Sequence, residues 1–168
     1  MNNKLHKNAV KSWVIARSIG AIIFLIISLF AFYITKYKFQ IHWVISGEKY
    51  ILILIMIIEG LAIIDAVIYP LLEYKQWIYE VTSDKIDFTE GIFTIKRTII
   101  PIIRIQHIKV NQGPINSKLG LADIEIFTAG GEHKIPNIEI KVAEDISEYL
   151  NKKIKEKVEE FDEENINL

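Results

Sequence analysis

The sequence predicts an α+β chain: a two-helix transmembrane hairpin, then an antiparallel β-sheet or roll closed by a C-terminal amphipathic helix. Three observations carry this. Two long apolar runs occupy the first half, short alternating segments fill the second, and one stripe at helical spacing ends it. The 168 residues suit one domain with an appendage. At 51% hydrophobic and 24% charged, the chain is neither disordered nor collagen-like. Twenty basic against 21 acidic side chains argue against a nucleic-acid binder driven by bulk charge. The absence of cysteine excludes disulfides, Cys-ligated zinc, Fe–S clusters and a thiol nucleophile.

The first apolar run, Ser18 to Thr35, is 18 residues without a charge. At helical rise it reaches about 27 Å, close to the hydrocarbon thickness of a bilayer. A buried soluble helix of that length carries a polar stripe, and this one has none. It exceeds a signal peptide's apolar core and no A-x-A-like site follows, so it reads as a span. The second run, Tyr50 to Leu72, is 23 residues interrupted by Glu59 and Asp65. Each acid near mid-bilayer costs about 2.5–3.5 kcal/mol, against roughly 0.3–0.6 kcal/mol gained per Ile, Leu or Val. More than a dozen such aliphatics carry the insertion, and Pro70 sits near the end, where a kink is tolerated.

Lys4, Lys7, Lys11 and Arg17 precede the first span and Lys75 follows the second, against Lys36, Lys38 and Lys49 between them. The positive-inside rule then puts both termini and the second half of the chain in the cytoplasm, in a cell membrane crossed twice. In an antiparallel hairpin with Ser18 level with Leu72, Glu59 faces the depth of Ala31 with Ser28 one turn away. Arg17 is then level with Glu73. Glu59 and Asp65 fall about 240° apart on the helix and do not form one site. Glu59 has two readings: a contact for a cationic group on a partner membrane protein, or local hydrogen bonding to Ser28 or a backbone carbonyl. For Asp65 the local reading is preferred.

Beyond Lys75, Trp77–Thr82 alternates as a half-buried strand and Ser83-Asp84 turns into a second, Lys85–Thr89. Gly91 allows the next reversal into Phe93–Ile100, which Pro101 ends. Ile102–Val110 alternates again, Gln112–Lys118 is a loop by composition, and Leu121–Thr128 is a strand. A last strand, His133–Ile135, is stopped by Pro136. Then Val142, Ile146, Leu150, Ile154, Val158 and Phe161 form one apolar stripe, which packs on the sheet. These readings divide the chain into a basic flank (1–17), a span (18–35), a loop (36–49), a second span (50–74), a sheet domain (75–161, helix about 141–161) and an acidic tail (162–168).

Several pieces in order give this half a family resemblance: Tyr79 with Val81-Thr82, Gly91, Ile100-Pro101, Arg104-Ile105-Gln106, Gln112-Gly113-Pro114, Gly120-Leu121-Ala122, Thr128-Ala129-Gly130-Gly131 and Ile135-Pro136. Together they resemble the bacterial pleckstrin-homology (PH) domain of small YdbS-like membrane proteins, and the hairpin ahead of them fits as well. One departure is Asn116-Ser117-Lys118, where the pattern has an arginine after Gln-Gly-Pro. The resemblance implies a PH-like fold and a membrane-anchored module working beside a larger relative with several such domains. It implies no reaction.

No phosphate-cradling glycine loop follows the required pattern, and the four histidines show no zinc spacing. No nucleophile elbow occurs either. The reading is therefore not an enzyme, with no catalytic residue, cofactor or metal. Its partners are the bilayer and either a larger PH-domain membrane protein or a second copy, and not nucleic acid. Candidate binding or assembly residues are Glu59, Arg97, Arg104, Gln106 and Gln112, with Lys96 and His107 near the same surface. The expected function is a membrane-anchored PH-like interaction module, a subunit of a membrane complex. The alternatives are lipid or small-ligand binding by the PH-like sheet, or a transport or export accessory using Glu59.

Overall fold

The computed structural model describes residues 3–166, with side chains described through residue 156. The chain forms two compact units, one of residues 13–71 and one of residues 1–12 with 72–168.

The first unit holds most of α1 (Ala9–Tyr37), the short α2 (His42–Ser46) and most of α3 (Glu48–Gln76). Its apolar side chains point outward: Ile22, Phe30, Leu54, Met56 and Leu61 are all more than half exposed. Water penalises such a surface and a hydrocarbon phase accepts it. Within the unit, Ala21, Glu59, Ala66 and Pro70 are buried. Small residues at such positions let helix backbones approach. Arg17 pairs with Asp65 at 3.0 Å and lies over the Tyr69 ring at 4.2 Å. The expected loop contains α2, and Lys36 pairs with Glu48 across it at 2.6 Å.

The second unit is two three-stranded antiparallel sheets and a helix. The first sheet has the order β1 (Ile78–Val81), β2 (Lys85–Glu90), β3 (Lys96–Pro101). The second has the order β4 (Ile105–Asn111), β5 (Leu121–Thr128), β6 (Gly131–Glu139). A 3-10 turn, Ile102–Arg104, links the sheets, and α4 (Pro114–Leu119) joins β4 to β5. The last helix, α5 (Ile140–Ile166), packs on β4, β5, β6 and the 3-10 turn. Ile86, Phe88, Ile100, Ile124, Ile126, Ile135, Ala143 and Leu150 fill the core at 4% exposure or less. Trp77 stacks on Phe88 at 5.8 Å. Of the expected helix stripe, Leu150 is buried and Val142 is exposed, while Val158, Phe161 and the tail from 162 lie outside the described side chains.

Four expected elements differ, the first being the strand expected over Phe93–Ile100, which begins at Lys96 because residues 91–95 make the reversal that Gly91 opens at φ +107°. The strand expected over Ile102–Val110 opens with the 3-10 turn, because the chain leaves the first sheet there and Ile102 N–H bonds to Asp84 O at 2.9 Å. The loop expected over Gln112–Lys118 contains α4, with Pro114 at its first turn and Gly120 closing it in the left-handed region at φ +68°. The last strand does not stop at Pro136. It runs to Glu139, because the register shifts from Ile124↔Ile135 to Ala122↔Ile138 and so leaves an extra residue on β6. A bulge accepts a proline that a regular ladder would not. Asn137 takes φ +54° there, and its N–H bonds the Asp123 carboxylate at 2.9 Å.

Residues 3–12 belong to this unit as well. Asn3 pairs with Tyr79 through two 2.8 Å backbone bonds at the outer edge of β1. Leu5, Ala9 and Ser12 are buried, and the Tyr74 hydroxyl donates to Leu5 O at 3.3 Å.

Candidate functional site

The end of β3, the 3-10 turn, the start of β4 and the β5–β6 turn surround an open cleft of about 600 Å³. Ile99, Pro101, Ile103 and Ile105 supply apolar wall; Arg104, Gln106, Thr128 and His133 supply polar groups. That volume lies in the range of small-ligand sites. Arg104 belongs to the 3-10 turn and Gln106 to β4, beside the register irregularity between Ile105 and His107. The two side chains are thus brought to one cleft, though not as neighbours on one strand face.

The other candidates lie elsewhere. Arg97 on β3 clamps Asp87 on β2 with two bonds of 2.9 and 2.6 Å. The Asp87 side chain is 7% exposed, and the Arg97 guanidinium holds its carboxyl below the usual range; Asp87 in turn raises Arg97. Burial pushes the neighbouring Tyr79 phenol up. Gln112 donates to Leu121 O at 2.8 Å and so pins the start of β5. Of the nearby side chains, Lys96 faces Glu90 at 3.9 Å, while His107 stacks on Phe127 at 4.3 Å. Glu59 lies in the first unit at 9% exposure, with Oε2 buried and lacking a hydrogen-bond partner. Ser28, its expected partner, donates instead to Leu25 O at 3.0 Å.

Two features escaped the sequence. Among the described residues β3 is an edge strand, and beside its free edge Ile99 is 51% and Ile103 62% exposed. The consecutive pairs Ile99-Ile100 and Ile102-Ile103 carried that signal, since a strand cannot bury two neighbours on one face. The second is a polar node in which the Ser12 hydroxyl donates to Asn116 Oδ1 at 2.5 Å. Asn116 Nδ2 donates to Asp123 at 3.1 Å, and Lys134 pairs with Asp123 at 2.7 Å. Asn116 lies in the stretch after Gln-Gly-Pro where the resemblance leads one to expect an arginine, and here it is a buried structural contact. Among the described residues, no group of three or more His, Asp and Glu side chains is arranged to hold a metal.

Two apolar helices followed by paired antiparallel sheets and a closing helix define a PH-like domain carried by a transmembrane-type hairpin. The family described as Bacterial PH domain matches residues 10–154, and the chain belongs to it. It is 31% identical over 152 residues to UPF0699 transmembrane protein YdbS of Bacillus subtilis (strain 168), covering 89% of this chain and 91% of that one. It is 30% identical over 112 residues to UPF0699 transmembrane protein YdbT of the same organism, covering 64% of this chain but 23% of that longer one. No solved structure matches the chain.

Proposed function

We propose that this protein is a non-enzymatic, membrane-anchored interaction module that joins a membrane complex through the free edge of β3 and the adjoining cleft. The observation that carries it is the unpaired β3 edge with Ile99 and Ile103 half or more exposed beside it. An open strand edge offers a row of backbone donors and acceptors to an incoming strand, and exposed isoleucines add apolar contact. The partner is a larger PH-domain membrane protein or a second copy; the match to one stretch of a longer relative supports a partner bearing a similar domain. Spans at 18–35 and 50–74 fix the module to the membrane, with both termini and the sheets in the cytoplasm. Anchoring raises the effective concentration of two such modules in one membrane. Glu59 is assigned to the hairpin's part in the same assembly.

The test is the native mass of the full chain in mild detergent, alone and co-expressed with its neighbouring membrane proteins. A defined oligomer or hetero-complex that Ile99→Lys with Ile103→Lys disperses supports the proposal, because charge on an edge blocks strand addition. A monomer under all conditions, or a complex that the folded double variant leaves intact, overturns it. Glu59→Gln in the same assay reads whether the hairpin contributes.

A further inference from the structure

We infer that the β2–β3 hairpin tip, Ile92–Lys96, is a second membrane contact that rests in the headgroup region of the bilayer. The inference comes from the register of the first sheet and is independent of the β3-edge assembly. α3 ends at Gln76 and β1 begins at Ile78, so the chain leaves its second apolar helix with Trp77 alone between them. Ile78 is opposite Thr89, and Glu90 is opposite Lys96. The β2–β3 turn therefore lies at the end of the sheet where the chain arrives from α3. The β1–β2 turn, Thr82–Asp84, lies at the far end.

The two turns differ in chemistry as their positions require. The far turn is polar, with Ser83 and Asp84 exposed. The near tip holds Phe93 at 93% and Ile95 at 63% exposure, on a sheet whose strands' other large apolar side chains, Ile99 apart, are buried or half-buried. Gly91, at φ +107°, brings the Thr94 backbone so close that no side chain fits there; the turn is tightly closed and Phe93 stands out at its apex. Lys75 in the last turn of α3 and Lys96 at the base of the tip are exposed. Exposed Phe and Ile flanked by lysines fit an interface of acyl chains and anionic headgroups. Water alone gives no reason to hold a phenylalanine at the apex of a loop, and the helix that carries the second apolar run, Tyr50 to Leu72, ends at Gln76, one residue before this end of the sheet begins. We therefore assign the tip to lipid and not to a protein partner.

The chain has no cysteine, so single labels are clean. Phe93→Cys and Ser83→Cys, each carrying an environment-sensitive fluorophore, are placed in the full chain in vesicles of phosphatidylethanolamine and phosphatidylglycerol. Nitroxide-bearing lipid and aqueous iodide are the two quenchers. The expected result is roughly halved fluorescence at position 93 with headgroup-depth nitroxide and little loss to iodide, with the reverse at position 83. Iodide quenching at 93 equal to that at 83 overturns the proposal. So does a label at 93 protected from iodide but untouched by nitroxide lipid, which means that protein covers the tip. A label at Ile95→Cys guards against the loss of Phe93 itself: it is quenched by nitroxide lipid in the otherwise native chain and less so with Phe93→Ser.

Discussion

Ser12 and Asn116 are 104 residues apart in sequence, yet their side chains meet at 2.5 Å inside the sheet-bearing unit. A double-mutant cycle on this pair measures how firmly the first turn of α1 is held there. Ser12 is 5% and Asn116 9% exposed. A neutral hydrogen bond contributes about 1 kcal/mol net, and a buried polar group left without its partner adds about 1–3 kcal/mol. Asn116→Ala removes the acceptor of Ser12 and one donor to Asp123. Asp123 keeps the Asn137 N–H and Lys134, so that second loss falls at the small end. The Ser12 hydroxyl is able to turn back to a carbonyl one helical turn earlier, which also trims the penalty. Asn116→Ala is therefore expected to cost about 3 kcal/mol and Ser12→Ala about 1.5 kcal/mol. The double variant should cost less than their sum by about 1 kcal/mol. Urea unfolding in mild detergent, followed by tryptophan fluorescence in a chain with Trp13 and Trp43 replaced by Phe so that buried Trp77 is the reporter, reads all three. A coupling no larger than the roughly 0.3–0.5 kcal/mol scatter of independent sites would refute the contact as a tether.

Two further predictions follow from the first sheet. Because Arg97 lowers the Asp87 carboxyl in the folded state, the stability this pair adds is fully present above the unfolded value near 3.8 and drains away as pH falls through the lower folded value. Asp87→Asn should cost about 1.5 kcal/mol at pH 7, the low end for a charge-assisted bond because Arg97 is 63% exposed. It should also flatten the loss of stability below pH 4, as read by urea midpoints across acid pH. Gly91→Ala forces a side chain into a φ of +107° and against Thr94, so at least about 2 kcal/mol should be lost. Gly130→Ala, whose new Cβ would meet the Thr128 hydroxyl at an ordinary 3.7 Å, should stay within about 0.5 kcal/mol. Equal losses at the two glycines would remove the case for a strained β2–β3 turn.

The elements legible in the sequence are those whose cause is local. Eighteen uncharged residues between Ser18 and Thr35 leave little choice but a long apolar helix. Leu121–Thr128 alternates cleanly and is β5 with the same two ends. What stayed hidden depends on distant partners. Pro136 reads as a stop until Asp123, on the neighbouring strand, is seen to accept the Asn137 N–H and sustain a bulge. Pro114 and Gly120 serve equally well in a loop or as the two ends of a helix, and composition does not separate those cases. The candidate residues divide in the same way. Arg104 and Gln106 come to one cleft, while Arg97 and Gln112 are engaged inside the domain by Asp87 and by Leu121. The first joins two strands and the second ties the link after β4 to β5, so no local spacing announces either.

The two proposals place their surfaces on one strand. β3 begins at Lys96, at the base of the apolar tip, and ends at Pro101, on the wall of the cleft. A strand added along this edge would run from the tip to the cleft, so assembly and lipid contact meet at Lys96. They remain separable, because Ile99 and Ile103 lie on the edge and its far end while Phe93 lies at the apex of the turn. Phe93→Ser should weaken lipid quenching without changing native mass. Ile99→Lys with Ile103→Lys should change native mass without changing lipid quenching at the tip. If either variant moves both readouts together, edge and tip act as one surface, and a partner seated on the β3 edge would itself set how deeply the tip meets the bilayer.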